Sequence, residues 1–324
     1  MYHFLQFRPD KKEAWRMFSE EQISRNTDMP GLPAFKTVLA VDQDPEQVIE
    51  NELDPLDVVK SHGPFYLDFD DENDLDHVLD DVRIILTHLT DNLGIPEELI
   101  SCWLSGGKGV HITIPGAVFG CKGPTKILPL IYREVMKAIE QGAGLDTPDS
   151  SIDHSVYSAN RGRMWRCEGV ARPGKGTYKV PVTVNELHEM DSEKYHLLVA
   201  QPRPPMAVKE PDKGVSYAKP EALFKAARTA AAKRVRAMKD STVAPTEVLR
   251  EWEGIPGCVE ILITEGDCDS SNWNQAAMQL ATYIAARYDK SEEAEYMEEL
   301  VKPFCKNVES SSRNSETERL KHVK

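Results

Sequence analysis

Residues 63–70 read Gly63-Pro64-Phe65-Tyr66-Leu67-Asp68-Phe69-Asp70, and the acidic run Asp71-Glu72-Asn73-Asp74 follows at once. The aromatic and apolar residues mark a short strand. Its two-residue period sets Asp68 and Asp70 on one face while Leu67 and Phe69 point into a core. Two carboxylates on one face repel each other unless a cation offsets them. Hard divalent ions such as Mg2+ or Mn2+ favour oxygen ligands of this kind. Alone, Asp-x-Asp is a weak motif, because a solvated strand edge running into further acids reads the same way.

After this strand, Leu75, Val78, Leu79, Val82, Ile85, Leu86, Leu89 and Leu93 recur at three- and four-residue spacing, which predicts an amphipathic helix over 74–93. Two β-like runs come next, Ser101 to Ser105 and Val110 to Ile114, joined by a glycine turn. The order is strand, helix, strand, turn, strand. A second helix is expected from Pro124 to about Gln141, with Gly142 and Gly144 ending the pattern. Three β-like pieces follow near 152–157, 164–167 and 177–182, then Thr183 with Glu186 as a capping box. This is a mixed α/β pattern with antiparallel pairing. The proline-rich, polar stretch after Gln201 reads as a linker, placed at 206–218. The division expected is therefore a catalytic domain over 1–205, the linker, and a small all-α domain over 219–324 with helices at Trp273 to Tyr288 and Ser291 to Cys305.

The turn itself reads Ser105-Gly106-Gly107-Lys108-Gly109-Val110-His111. Glycines let backbone amides approach phosphate oxygens and the lysine adds a point charge, although a hairpin can use glycines for geometry alone. His111 shares a strand face with Thr113, away from Val110, Ile112 and Ile114. The spacing is not that of a Walker loop, and a strand rather than a helix follows. A third stretch runs Ile152-Asp153-His154-Ser155-Val156-Tyr157-Ser158-Ala159-Asn160-Arg161-Gly162-Arg163-Met164-Trp165-Arg166, then Lys175-Gly176-Thr177-Tyr178-Lys179-Val180-Pro181. One acid thus precedes a run of arginines, whose forks suit triphosphates and backbone phosphates. Tyr157 and Trp165 can stack on bases or pack in the core, and packing is the expected role of Trp165.

The 324 residues carry a formal charge of −14, which argues against a simple basic nucleic-acid coat. The distribution matters more. Residues 40–100 hold eighteen Asp and Glu against Lys60 and Arg83, whereas 161–179 hold six Lys and Arg against Glu168. A second basic stretch covers 219–239, where a solvated helix face is the plainer account. Six scattered cysteines form no C-x-x-C pair, as expected of reduced thiols in a cytoplasm. No apolar run suits a membrane span and the amino terminus lacks the order of a secretion signal, so a cytoplasmic protein is expected.

The three stretches, in this order, resemble the three motifs of the archaeo-eukaryotic primase superfamily, whose members include primase-polymerases and phage and plasmid DNA primases. The resemblance covers roughly residues 60 to 185. It implies a primase-type catalytic domain with an RRM-like antiparallel sheet. It further implies that Asp68, Asp70 and Asp153 are catalytic and hold two Mg2+ or Mn2+ ions. Ser105, Gly107, Lys108, His111, Arg163 and Arg166 would hold the incoming dNTP or NTP. Arg161, Arg172, Lys175 and Lys179 would follow a single-stranded DNA template. Family members place a Ser and a His soon after the arginine strand, and here Gly169-Val170-Ala171-Arg172-Pro173 stands instead.

The implied activity is primer synthesis by metal-dependent nucleotidyl transfer, with a replicative helicase as a candidate partner. The helical pattern at His322-Val-Lys also raises the expectation of a longer parent chain with a helicase or metal-bound module. Two enzyme alternatives share these residues: a gap-filling polymerase that extends primers without starting them, and a metal-dependent phosphoesterase. From another class, a non-catalytic DNA-binding replication initiator would use the basic stretches alone.

Overall fold

The structure, a computed structural model, describes residues 1–10, 14–53, 55–71, 73–147, 149–157 and 163–240, and beyond them 280, 281, 283, 284, 300–302 and 304. The chain divides into two compact units, Met1–Val235 and Arg236–Lys324.

The first unit begins with strands β1 (Tyr2–Gln6) and β2 (Arg16–Ser19), helix α1 (Glu20–Arg25), strands β3 (Phe35–Thr37) and β4 (Ala40–Val41), helices α2 (Pro45–Glu50) and α3 (Pro55–Val58), and strand β5 (Lys60–His62). Strand β6 (Phe65–Asp70), helix α4 (Leu75–Thr87), β7 (Ser101–Leu104), β8 (Gly109–Ile114), β9 (Thr125–Lys126) and helix α5 (Leu128–Ala143) follow. Then come β10 (Met164–Arg166), β11 (Val180–Val182), α6 (Val184–His188), α7 (Ser192–Val199) and α8 (Ala218–Asp240).

Two sheets result, and every named pairing is antiparallel. One runs β11-β7-β8-β6; the other runs β10-β3-β1-β4-β5-β9, with β2 also on β1. In the four-stranded sheet Phe65, Leu67, Phe69, Val110, Ile112 and Ile114 are fully buried on the face that packs against α4 and α5. Asp68, opposite His111, lies on the other face. Helix α4 starts where Asp74 accepts the His77 amide and buries Val78, Leu79, Val82, Ile85 and Leu86 along one stripe. Its α-helical part ends at Thr87, and the expected last turns are a wider coil over His88–Asn92. The capping box of Thr183 and Glu186 forms as expected.

Two expectations are corrected. Residues 152–157 form no strand beyond the single bridge of Ile152 with Phe69, because His154–Tyr157 winds into a tight helical turn that buries Val156 and Tyr157. Pro124 does not start the second helix: Thr125 and Lys126 pair with β5, and α5 begins at Leu128, with a proline in its first turn. The two compact units divide after Val235, and α8 buries Phe224, Ala227 and Ala231 in the core of the first unit. Those positions recur at helical spacing, so α8 is anchored along one face while Lys225, Arg228, Lys233 and Arg236 stay exposed. The stretch before α8 is also tied down, with Arg203 on the Pro181 carbonyl and Glu186 and Lys209 on Glu98. In the second unit Leu280, Tyr283, Leu300, Val301 and Phe304 are buried. The rest of the helices expected at Trp273 to Tyr288 and Ser291 to Cys305 lies outside the described residues. Among the described residues no helix is long and apolar enough to cross a membrane.

Candidate active site

Strand β6 sets the site. Residues 151–153 run beside its free edge: the Asp70 amide donates to the Ser151 carbonyl at 2.9 Å and the Asp153 amide to the Asp68 carbonyl at 2.8 Å. Between them Ile152 faces Phe69 as an antiparallel bridge. Strand alternation therefore puts Ile152 with the core and Asp153 on the face of Asp68. On the other side of β6, His111 is the direct partner of Asp68, and Trp103 is the next residue across.

Asp68 is 6 % exposed, because β10 of the second sheet covers this face. The Trp165 indole N–H donates to its Oδ2 at 3.1 Å, His111 Nε2 stands 3.4 Å from Oδ1, and Arg163 Nε lies 3.7 Å from Oδ2. Burial pushes the Asp68 carboxyl up to about 6; Arg163 and Trp165 oppose the rise, and the charges of Asp153 and Asp70 add to it. His111, 8 % exposed, is driven well below the usual histidine range, first by burial and then by the charges of Lys179, Arg163 and Arg172. It is neutral at physiological pH, and its Nδ1 has no partner among the described residues. Arg163 also reaches Asp153 at 3.4 Å, so one guanidinium spans both carboxylates.

The glycine turn is closed by the Ser105 amide on the Gly109 carbonyl at 2.9 Å. Gly106 has φ +75°, and a Cβ at Gly109 would fall on the Phe69 carbonyl oxygen, so both positions need glycine. The Ser105 hydroxyl accepts the Gly107 amide at 3.3 Å. Behind Gly107 lies the Arg172 guanidinium, whose Nε is buried without a partner among the described residues. Tyr195 of α7 donates its hydroxyl to the Gly109 carbonyl at 2.8 Å, and Thr177 bonds Gly106. Lys108 is half-buried; the Asn73 amide holds the Asp71 carboxyl below the usual carboxylate range, and the Lys108 charge adds a small share.

Thus Asp68, Asp153, His111 and Arg163 come together, and Asp70 sits at the exposed end of the same strand. Arg166 instead donates to the Ala171 carbonyl and stacks over Phe35 at 4.6 Å. Of the expected template residues, Lys175 is exposed at a hairpin tip and Arg161 lies outside the described residues. Arg172 backs the glycine turn. Lys179 is not on the surface: it is 7 % exposed, its Nζ 4.8 Å from the Trp103 ring and 4.7 Å from the Trp165 ring, and burial brings its pKa down to about 8. It lines a cleft of about 680 Å3 that Lys36, Trp103, Thr113, Trp165 and Arg166 also line. Trp165 and Tyr157 both pack, Tyr157 with its hydroxyl on the Tyr66 carbonyl. Sequence reasoning missed the supports from Tyr195 and Thr177, which have no motif of their own.

Three carboxylates on one face of a strand and its neighbouring segment are the donor type a hard divalent cation takes. Among the described residues no three His, Cys, Asp or Glu side chains close on a single point, and the positive charge between Asp68 and Asp153 is that of Arg163. The donor set fits such an ion in chemistry, with Arg163 occupying the electrostatic role. No family model matches the chain, and no curated protein matches it.

Proposed function

We propose that the chain is a DNA-directed nucleotidyltransferase of the archaeo-eukaryotic primase type, a primase or primase-polymerase that joins nucleoside triphosphates on a single-stranded DNA template. The observation that supports it most is the meeting of Asp68, Asp153 and His111, from three distant stretches of chain, on one sheet face beside a glycine turn. A solvated strand edge would leave Asp68 exposed and Asp153 elsewhere.

Two divalent ions, when bound, supply the charge that favours a 3′-oxyanion and neutralises a triphosphate. Asp68, Asp70 and Asp153 are the residues to hold them. Arg163, half-exposed and already between two of these carboxylates, turns to the triphosphate as its forked donor. His111 adds a neutral N–H in a fixed ring plane. The Ser105 hydroxyl and the Lys108 side chain, on a turn that Gly107 lets a phosphate approach closely and that Arg172 backs, take the outer phosphates. The 3′-oxygen then attacks the α-phosphorus in line and pyrophosphate leaves, with no covalent enzyme intermediate. Lys175 and the exposed basic face of α8 are the candidates for the template backbone, giving salt-sensitive binding despite the acidic total.

The test is incubation with single-stranded DNA, labelled dNTPs or NTPs, and Mg2+ or Mn2+, with and without a supplied primer. Products without a primer identify a primase. Products only with one identify an extending polymerase. No incorporation under either condition overturns the proposal.

A further inference from the structure

Asp153 belongs to a stretch, 149–153, with no helix or regular strand of its own, yet it must stand beside Asp68 to contribute to the site. Two buried carboxylates are spent on that stretch. Asp81, on the core side of α4 and 3 % exposed, accepts both the Ser151 amide and the Ser151 hydroxyl on Oδ2, each at 2.8 Å. Glu140, near the end of α5 and also 3 % exposed, accepts the Ser150 hydroxyl at 3.1 Å and lies 2.9 Å from His154 Nε2. His77, one helical turn before Asp81, bonds the Asp149 carbonyl at 2.7 Å. Among the described residues neither Asp81 nor Glu140 pairs with a Lys or Arg.

Burying a carboxylate is costly, and apolar packing would hold an ordinary loop without that cost. What apolar contact cannot do is fix both the height and the rotation of an extended segment along a strand edge. Hydrogen bonds from two helices to residues on either side of Asp153 do both. They hold Ser151 where its carbonyl receives the Asp70 amide, and His154 where the intervening Asp153 amide reaches the Asp68 carbonyl.

We propose that Asp81 and Glu140 are positioning residues that clamp residues 150–154 against β6 and so set Asp153 beside Asp68. The role in catalysis rests on the nucleotidyltransferase reading; the clamp itself does not. Asp81→Leu and Glu140→Leu remove it, whereas Glu140→Gln keeps an acceptor for Ser150 and His154.

Two measurements on the full chain decide the matter. In amide hydrogen exchange, the Asp70 and Asp153 amides should exchange about tenfold faster in the leucine variants while the amides between β7 and β8 stay protected, and Glu140→Gln should match the parent. In calorimetric titration with Mn2+, the leucine variants should bind about tenfold more weakly and Glu140→Gln should again match, as for residues that orient metal ligands. If the leucine variants do not fold, Ser151→Ala and His154→Ala, which remove one clamp bond each, should show the same exchange pattern at smaller amplitude. Parent-like exchange at Asp70 and Asp153 in the folded variants overturns the clamp, whatever the activity. The expected exchange pattern in a protein that neither binds Mn2+ nor incorporates nucleotides leaves the clamp standing and removes the catalytic reading.

Discussion

The indole of Trp165 lies flat on the imidazole of His111, with ring centroids 4.1 Å apart and planes 14° apart, while its N–H donates to Asp68. Trp165 therefore fixes the His111 plane and stabilises the ionised form of Asp68 at the same time. Trp165→Phe keeps a ring on His111 and removes the donor. Without that bond the Asp68 carboxyl rises further, so the acid limb of the pH dependence of incorporation should move up by about half a unit. A limb that coincides with that of the parent would show that the indole bond has no effect on Asp68.

Asp70 ends β6 with an exposed side chain, so its loss should leave packing alone. Asp70→Ala is expected to abolish incorporation with Mg2+ or Mn2+ while the thermal midpoint stays within a few degrees of the parent, roughly the change an exposed substitution makes. Unchanged incorporation at saturating metal would reduce the acidic strand to a solvated edge.

Asp68 also sets a pH-dependent stability. Its folded value of about 6 lies above the roughly 3.9 of an unfolded aspartate. The folded state therefore holds the proton more tightly. The associated stability is complete below about pH 4 and is lost as pH rises through about 6. Asp68→Asn, which never ionises, should gain about 1–3 kcal/mol over the parent near pH 7.5 and nothing near pH 4. Urea unfolding at the two pH values measures the difference, and an equal gain at both would place its cause outside ionisation.

Separating the two units requires a cut beyond α8. Removing everything after Pro211 also removes Phe224, Ala227 and Ala231 from the core, at a cost of several kcal/mol, and should leave a poorly folded chain. Residues 1–240 should fold by circular dichroism and extend a supplied primer, yet fail to start a chain from two free nucleotides. Priming equal to that of the full chain would exclude the second unit from initiation. Loss of extension as well would mean that both units serve one active site.

Much of the first unit was legible because its elements are long enough to show a period. Leu67 and Phe69 against Asp68 and Asp70, the α4 stripe, and the Thr183 and Glu186 box each repeat or pair within a few residues. The seven-stranded sheet was not legible, since β3, β4, β5 and β9 are two or three residues long and show no alternation. That sheet decides the electrostatics. His111 reads as a polar position facing away from a core and Lys179 as a template contact, and only the cover supplied by β10 and its neighbours makes them buried. Helix α8 was read with the second unit because its buried side offers one phenylalanine and two alanines, a stripe too thin to stand out among so many basic residues. The apposition of Asp153 and Asp68 comes from a backbone pairing with no side-chain signature.

Gly109 and the Phe69 carbonyl meet so closely that no other residue fits between them. The contact works as a gauge for the hairpin. Lengthening or shortening the turn by one residue would carry a side chain to this point and, in the same step, turn His111 toward the helices and Val110 toward the acids. Misalignment is thus penalised twice, once by collision and once by burying an imidazole among aliphatic side chains. A strand pair with this property sets by itself which of its two faces turns to the helices and which to the carboxylates.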